Sequence, residues 1–295
     1  MKDYCLISTA YDGQARIYVS YSKALVERAR TIHGTWPTAS AALGRFLTVS
    51  AMMGLMLKDD DSITLRIEGD GPIEYMLVEA NAQGEVRGDI KHPEVYLTYN
   101  SGPKEGKLAV GKAVGEGYLH VTKDLNLKNN FTSSVELQTG EIGDDFTYYF
   151  TSSEQTPSAV GLGVLVDIDQ TIKQAGGFII QLLPNATDET ITKIEGVLST
   201  IKAVTELYED GLSPEDITDY LSSNTAKILS KHDISYNCHC SKEKFSKSIE
   251  KLDDKTIQSF IDEDHGAEII CHFCKSKYHF DESDLQNILG ELPTT

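Results

Sequence analysis

Residues 62–90 read SITLRIEGDGPIEYMLVEANAQGEVRGDI. Three strand-like runs stand in this stretch, Ser62 to Glu68, Ile73 to Glu79 and Glu85 to Ile90, each with apolar residues near a period of two. Gly69-Asp70-Gly71-Pro72 and Gln83-Gly84 punctuate them as turns. Strands joined by such short turns pair antiparallel, because a parallel neighbour needs a crossover of a dozen residues or more. Outward from here the pattern continues. Strands are predicted at Tyr4 to Thr9 and Ala15 to Tyr21, around Asp12-Gly13. Others are predicted at Lys107 to Val114 (after Gly102-Pro103), Tyr118 to Thr122, Ser158 to Ile168 and Gly177 to Leu183. Helices are predicted at Lys23 to His33, Pro37 to Leu57 and Gly143 to about Ser153. Strands that run in groups, without strict alternation with helices, favour an α+β fold with a mostly antiparallel sheet.

The 295 residues are long enough for a full-sized core plus smaller modules. A composition 40% apolar and 24% charged is ordinary for a globular chain. The most apolar stretch, Ala39 to Leu57, is interrupted by Arg45 and reads as a buried helix, not a membrane span. The first residues lack a signal-peptide core, so a cytoplasmic location is expected. A formal net charge of -18, with no basic cluster clear of acids, argues against nucleic-acid binding. No membrane partner is expected either.

From about Pro184 to Ser235 the chain reads as a helical linker. Ile191, Ile194, Val197, Leu198, Ile201, Val204, Leu207 and Tyr208 recur at helical spacing and form one apolar stripe with an acidic back. Thr187 is a candidate N-cap, Gly211 a stop, and Ser213-Pro214-Glu215-Asp216 starts a further helix. Such a stripe needs a surface to dock on, since an isolated helix of this length is marginal in water. The expected division is therefore a core domain over 1–183, a helical linker over 184–235 and a C-terminal module over 236–295.

That last module has few apolar residues and needs a staple. Four of the five cysteines lie in it, as Cys238-His239-Cys240 and Cys271-His272-Phe273-Cys274. Two chelating pairs of soft sulfur ligands suit one tetrahedral zinc ion. An iron–sulfur cluster or a thioredoxin-like dithiol would use the same residues, although Cys271-x-x-Cys274 lies in no βαβ context. His239, His272 and His279 read as spacers or outer contacts, because the four cysteines already fill the site. With no open position, hydrolytic catalysis at the metal is not expected. Cys5 reads as a lone buried thiol, and Met52, Met53 and Met56 as core. Zinc-held thiolates are also the form that peroxide or hypochlorite attacks, and their oxidation would destroy the site. Spacing alone leaves a permanently structural zinc open, as it does a zinc-dependent regulator or a thiol oxidoreductase.

The run from Cys238 to Phe245, then Cys271 to Cys274 and Tyr278-His279-Phe280, resembles the zinc module of the bacterial redox-regulated heat-shock holdases, the thirty-three-kilodalton chaperonin family. Gly69 to Pro72, Val86-Arg87-Gly88, Ser153 to Ser158 and Gly176 to Pro184 resemble that family's core segments in the same order. Lys242 stands where arginine is expected, which touches no ligand. The resemblance implies a chaperone, not an enzyme, that is inactive when reduced and zinc-bound. It implies that oxidation forms Cys238–Cys240 and Cys271–Cys274 disulfides, releases zinc and unfolds the module. Loosening of the linker then exposes apolar surface that holds unfolding client proteins without ATP. A homodimer is expected for the oxidised form. Lack of ATP use agrees with Gly102 to Leu108, which has the wrong spacing for a phosphate loop, and with the lack of a dinucleotide fingerprint or nucleophile elbow.

Overall fold

A computed structural model describes residues 1–102, 104–127 and 129–291. Pro103 of the expected Gly102-Pro103 turn and the last four residues of the expected 236–295 module lie outside the described residues. In chain order the first unit contains β1 (Tyr4–Ala10), β2 (Ala15–Tyr21), α1 (Lys23–His33), α2 (Pro37–Gly54), β3 (Ser62–Gly69), β4 (Tyr75–Asn81) and β5 (Glu85–Ile90). There follow α3 (Val110–Val114), β6 (Gly117–Asp124), β7 (Phe131–Glu136), α4 (Gly143–Ser152), β8 (Ser158–Val166) and β9 (Ile172–Leu182). Then come α5 (Asp188–Thr200), α6 (Val204–Glu209), α7 (Pro214–Leu221), β10 (Lys227–Asp233) and β11 (Ser235–Tyr236). The second compact unit begins at Cys238. It contains α8 (Lys242–Ile249), α9 (Asp254–Asp262), β12 (Gly266–Ile270), β13 (Lys277–Asp281) and α10 (Glu282–Glu291).

The first unit holds two sheets. One has the order β10-β1-β2-β9-β8 and is antiparallel throughout. The other has the order β11-β5-β4-β3-β6-β7, antiparallel except for the short β11–β5 pair. The quoted stretch forms β3, β4 and β5 of the second sheet, side by side as its turns require. Helix α2 contacts strands of both sheets and is buried except at Pro37 and Arg45. A helix buried on all sides must hide its own polar groups. Thr48 and Ser50 do so by donating to the Gly44 and Phe46 carbonyls. Gly44 is required by packing: a Cβ there would lie 2.5 Å from Val26 Cγ1. Met52 and Met53 are core, as expected, and Met56 packs partly buried against it.

The five-stranded sheet is buried on both faces, which is why β2 reads as a nearly continuous apolar run. Tyr18 and Cys5 join the core around α2, whereas Ile17 and Val19 join a second cluster with Phe178 and Ile180. The expected stripe covers that second face. Ile194, Val204, Leu207, Tyr208, Ile217 and Leu221 are all buried in this cluster, and Val197, Leu198 and Ile201 pack partly buried beside them. Each fully buried side chain contributes roughly 1.5–3 kcal/mol. Two buried hydroxyls fix the layer, Tyr208 donating to the Ser20 carbonyl at 2.7 Å and Tyr11 to the Leu221 carbonyl at 2.8 Å.

Several expectations need correction. The stripe is not one helix, because Ile201 is extended (ψ 137°) and separates α5 from α6. The segment 184–235 is helical only to Leu221, and β10 and β11 follow it; β10 pairs with β1 from Tyr4↔Asp233 to Thr9↔Lys227. Lys107 to Val114 is not a strand. A bridge joins Thr98 to Leu108, and then α3 begins at Val110. Strand β7 was not predicted. Caps were better read: Thr187 accepts from Thr190 N–H, and Ser213 and Asp216 form a capping box.

Candidate metal centre

Among the described residues, the second unit has a core of six buried side chains, Ile249, Ile257, Ile261, Phe280, Leu285 and Ile288. This is small for the three helices and one hairpin it must order. The four cysteines converge beside it from two short segments. Cys238 and Cys240 precede α8, which starts at the N-cap Ser241 with its hydroxyl accepting from Lys244 N–H. Cys271 and Cys274 sit on the loop between β12 and β13, whose register runs from Gly266↔Asp281 to Ile270↔Lys277. Backbone bonds from Cys271 N–H to the Ser276 carbonyl and from Lys275 N–H to the Cys271 carbonyl, both 2.9 Å, tighten that loop. Lys275 takes a left-handed conformation (φ 59°) to close it.

All four sulfurs lie within 4.8 Å of one another. Cys238 Sγ is 3.7 Å from Cys271 Sγ, and Cys240 Sγ is 3.2 Å from Cys274 Sγ. Four thiolates around a tetrahedral ion with metal–sulfur bonds near 2.3 Å would stand about 3.8 Å apart. The cluster thus has the size and the soft donor set to hold one metal ion. Cys271 is buried and the other three are half-buried.

The sulfurs are not equivalent. Burial raises the Cys240 thiol to about 12, helped by its hydrogen bonds with the other cysteines. Burial also raises Cys271. At Cys274 burial acts the same way but is outweighed by hydrogen bonds from Ser276 and the neighbouring thiols, which bring it down to about 6. Tyr278 on β13 completes the surroundings. Its hydroxyl donates to the Cys240 carbonyl at 3.1 Å and lies 3.2 Å from Cys240 Sγ. Phe245 packs on the Tyr278 ring with centroids 5.1 Å apart.

No histidine belongs to the cluster. His239 and His272 are exposed, and His279 pairs with Glu268 at 3.2 Å. Cys5 belongs to β1 of the first unit; it is buried, and burial pushes its thiol up. Lys242, the departure from the expected arginine, pairs with Asp284 at 2.6 Å and lies over the Phe280 ring. Sequence reasoning assigned no role to Ser276 or Tyr278. For Tyr278 the available signal was the alternation in Tyr278-His279-Phe280, which puts Tyr278 on the same face of the strand as the buried Phe280 and turns His279 outward.

Comparison with known proteins gives a consistent result. The family described as Hsp33 protein matches residues 3–281. The 33 kDa chaperonin of Acholeplasma laidlawii is 53% identical over 290 residues, covering 98% of this chain and 99% of the relative. That of Bacillus subtilis is 49% identical over 287 residues, covering 97% and 98%. The crystal structure of the Thermotoga maritima 33 kDa chaperonin, a heat shock protein 33 homolog, superposes with a TM-score of 0.91 at 32% identity, covering 98% of both chains. Fold, cysteine cluster and near full-length similarity lead to one conclusion: this chain belongs to the Hsp33 family of chaperones.

Proposed function

We propose that this protein is a redox-controlled, ATP-independent holdase whose switch is a zinc site made by Cys238, Cys240, Cys271 and Cys274. One observation carries the reading. The chain combines an apolar helical layer docked on a sheet face with a small unit organised around four thiols. Zinc, when bound, holds the four sulfurs as thiolates and closes the second unit. In this reading 1–183 is the client-holding core, 184–235 the releasable cover and 236–295 the switch.

Activation follows from the chemistry of the cysteines. Each pair gives two electrons to one hydrogen peroxide. With two protons the products are one sulfur–sulfur bond and two waters. Disulfides are poor ligands, so the second unit loses its staple and unfolds. Between the cover and Cys238 the chain runs through β10 and β11, both edge strands and the latter only two residues long. Release propagates through these edges to α5–α7 and bares the apolar outer face of β1, β2 and β9. Unfolding proteins bind there, and a second copy of the oxidised chain is offered the same face. Four thiols kept reduced until stress arrives suit a reducing compartment such as the cytoplasm.

The pairing is proposed to be Cys238–Cys240 and Cys271–Cys274. In the folded cluster cross-pairs are also near, but once the fold is lost only neighbours in sequence stay close. Tryptic mapping of the oxidised protein should find each pair within its own peptide, since Lys242 and other lysines lie between the pairs. A dominant Cys238–Cys271 or Cys240–Cys274 linkage would contradict this.

The function itself is tested by light scattering from a thermally unfolding client protein, with zinc counted in each sample. Reduced protein with one zinc per chain should leave aggregation unchanged, and peroxide-treated protein without zinc should suppress it near equimolar ratio. Equal suppression by both forms would make the zinc merely structural, and turnover of a disulfide substrate would favour an oxidoreductase instead.

A further inference from the structure

The five-stranded sheet has two edges, β10 and β8, and they are guarded differently. Edge strands present unpaired backbone N–H and C=O groups, which proteins usually blunt with charge, proline or a cover. Strand β10 carries Lys227, Lys231 and Asp233. Strand β8, SAVGLGVLV from Ser158 to Val166, has neither charge nor proline. It is covered at one end, where Val160 N–H donates to Thr147 Oγ1 of α4 at 3.1 Å. Val160 therefore turns its backbone groups away from β9. By the two-residue period of a strand, Leu162 and Val164 turn theirs the same way. Among the described residues, no hydrogen bond from another element reaches the backbone of Leu162 or Val164.

Both residues line a groove of about 990 Å³. Trp36 and Tyr96, each about half exposed, line it as well, as do Thr205 and Glu206 of α6. Helix α6 lies close on β8: a Cβ at Gly163 would meet Thr205 Cγ2 at 2.8 Å and Val204 Cβ at 3.3 Å. Removing α6 would widen the groove along the strand.

We propose that the open edge of β8 is a docking site for an extended segment of an unfolded client, added to the sheet as a further strand through the backbones of Leu162 and Val164. The inference rests on the holdase reading above and adds a backbone contact for the client beside the bared sheet face. Backbone pairing recognises any extended chain with free N–H groups, and the aromatic and apolar walls take alternate side chains. A holder of many unrelated clients needs that kind of recognition, because unfolded chains share a backbone and no sequence. The other edges fit less well. Strand β10 is charged, and β7 presents Thr132, Ser133 and Ser134.

The test uses the full oxidised chain and a short synthetic peptide of alternating valine and threonine with a lysine at each end. A twin peptide is N-methylated at successive central residues, which blocks both of its edges. Amide hydrogen exchange resolved by NMR should be fast at Leu162 and Val164 in the free protein and roughly tenfold slower with the unmethylated peptide. The twin should bind roughly tenfold more weakly. Failure of the peptide to bind, equal binding of the twin, or protection confined to other strands would overturn the proposal. Protection that grows with protein concentration alone would place a second copy at this edge and would also overturn it. The peptide assay reads binding at β8 whether or not the oxidised chain prevents aggregation, so this proposal and the holdase reading fail separately.

Discussion

Ile194→Asp is expected to hold clients while still reduced and zinc-loaded. Ile194 is 5% exposed on α5, in the apolar cluster formed with the outer face of β1, β2 and β9. Among the described residues no lysine or arginine is buried, so none is placed in the core to pair with a carboxylate. An unpaired charge there costs about 3–5 kcal/mol, a large share of what docks the layer. The cysteines lie in the other unit, so zinc content should stay at one per chain. Ile201→Asp serves as an internal comparison: Ile201 is only partly buried, at the break between α5 and α6, and its effect should be clearly smaller. Aggregation suppression by each reduced variant, read beside its zinc content, checks both statements. An Ile194→Asp protein with an exposed cover and no holding activity would show that uncovering the sheet is not the activating event. The client surface would then come from the unfolded second unit.

Removing the metal should unfold the second unit outright. Its core, six buried side chains among the described residues, is too small to order three helices and a hairpin unaided. A structural zinc supplies roughly 10–16 kcal/mol in small zinc peptides, as much as the whole stability of an ordinary domain. A strong chelator under reducing conditions should therefore open the chain beyond Cys238 to protease, with the first unit's sheets still resistant. Limited proteolysis with mass mapping of the fragments reads this directly. A second unit that stays protected without metal would mean that its fold does not depend on the four sulfurs.

The cysteine cluster was legible because its information is local. Cys238-x-Cys240 and Cys271-x-x-Cys274 each set two sulfurs on one short segment, and soft ligands in two pairs have few other uses. The hairpin that brings the pairs together was not legible, since β12 and β13 are only five residues each, too short for a clear period. The helical cover was legible as a stripe, and its dock followed from physics, because an apolar face needs a partner. Its break at Ile201 was not, since Lys202 and Ala203 are acceptable helix residues and tertiary docking overrides their propensity. Strand β10 was hidden for a deeper reason. Lys227 to Asp233 is mostly polar, and it is a strand because β1, more than two hundred residues earlier, offers it an edge. Val110 to Val114 shows the converse. Its valines suggest a strand, yet the segment coils into a short helix against α2.

The central claim is that oxidation at the cysteines lifts α5–α7 off the five-stranded sheet. Amide hydrogen exchange of the full chain before and after peroxide treatment tests it most directly. Amides from Asp188 to Leu221 should lose protection on oxidation, together with those beyond Cys238, while β2 and β9 remain slow. If α5–α7 keep their protection in oxidised protein that is holding clients, the cover is not the gate, and the account is wrong.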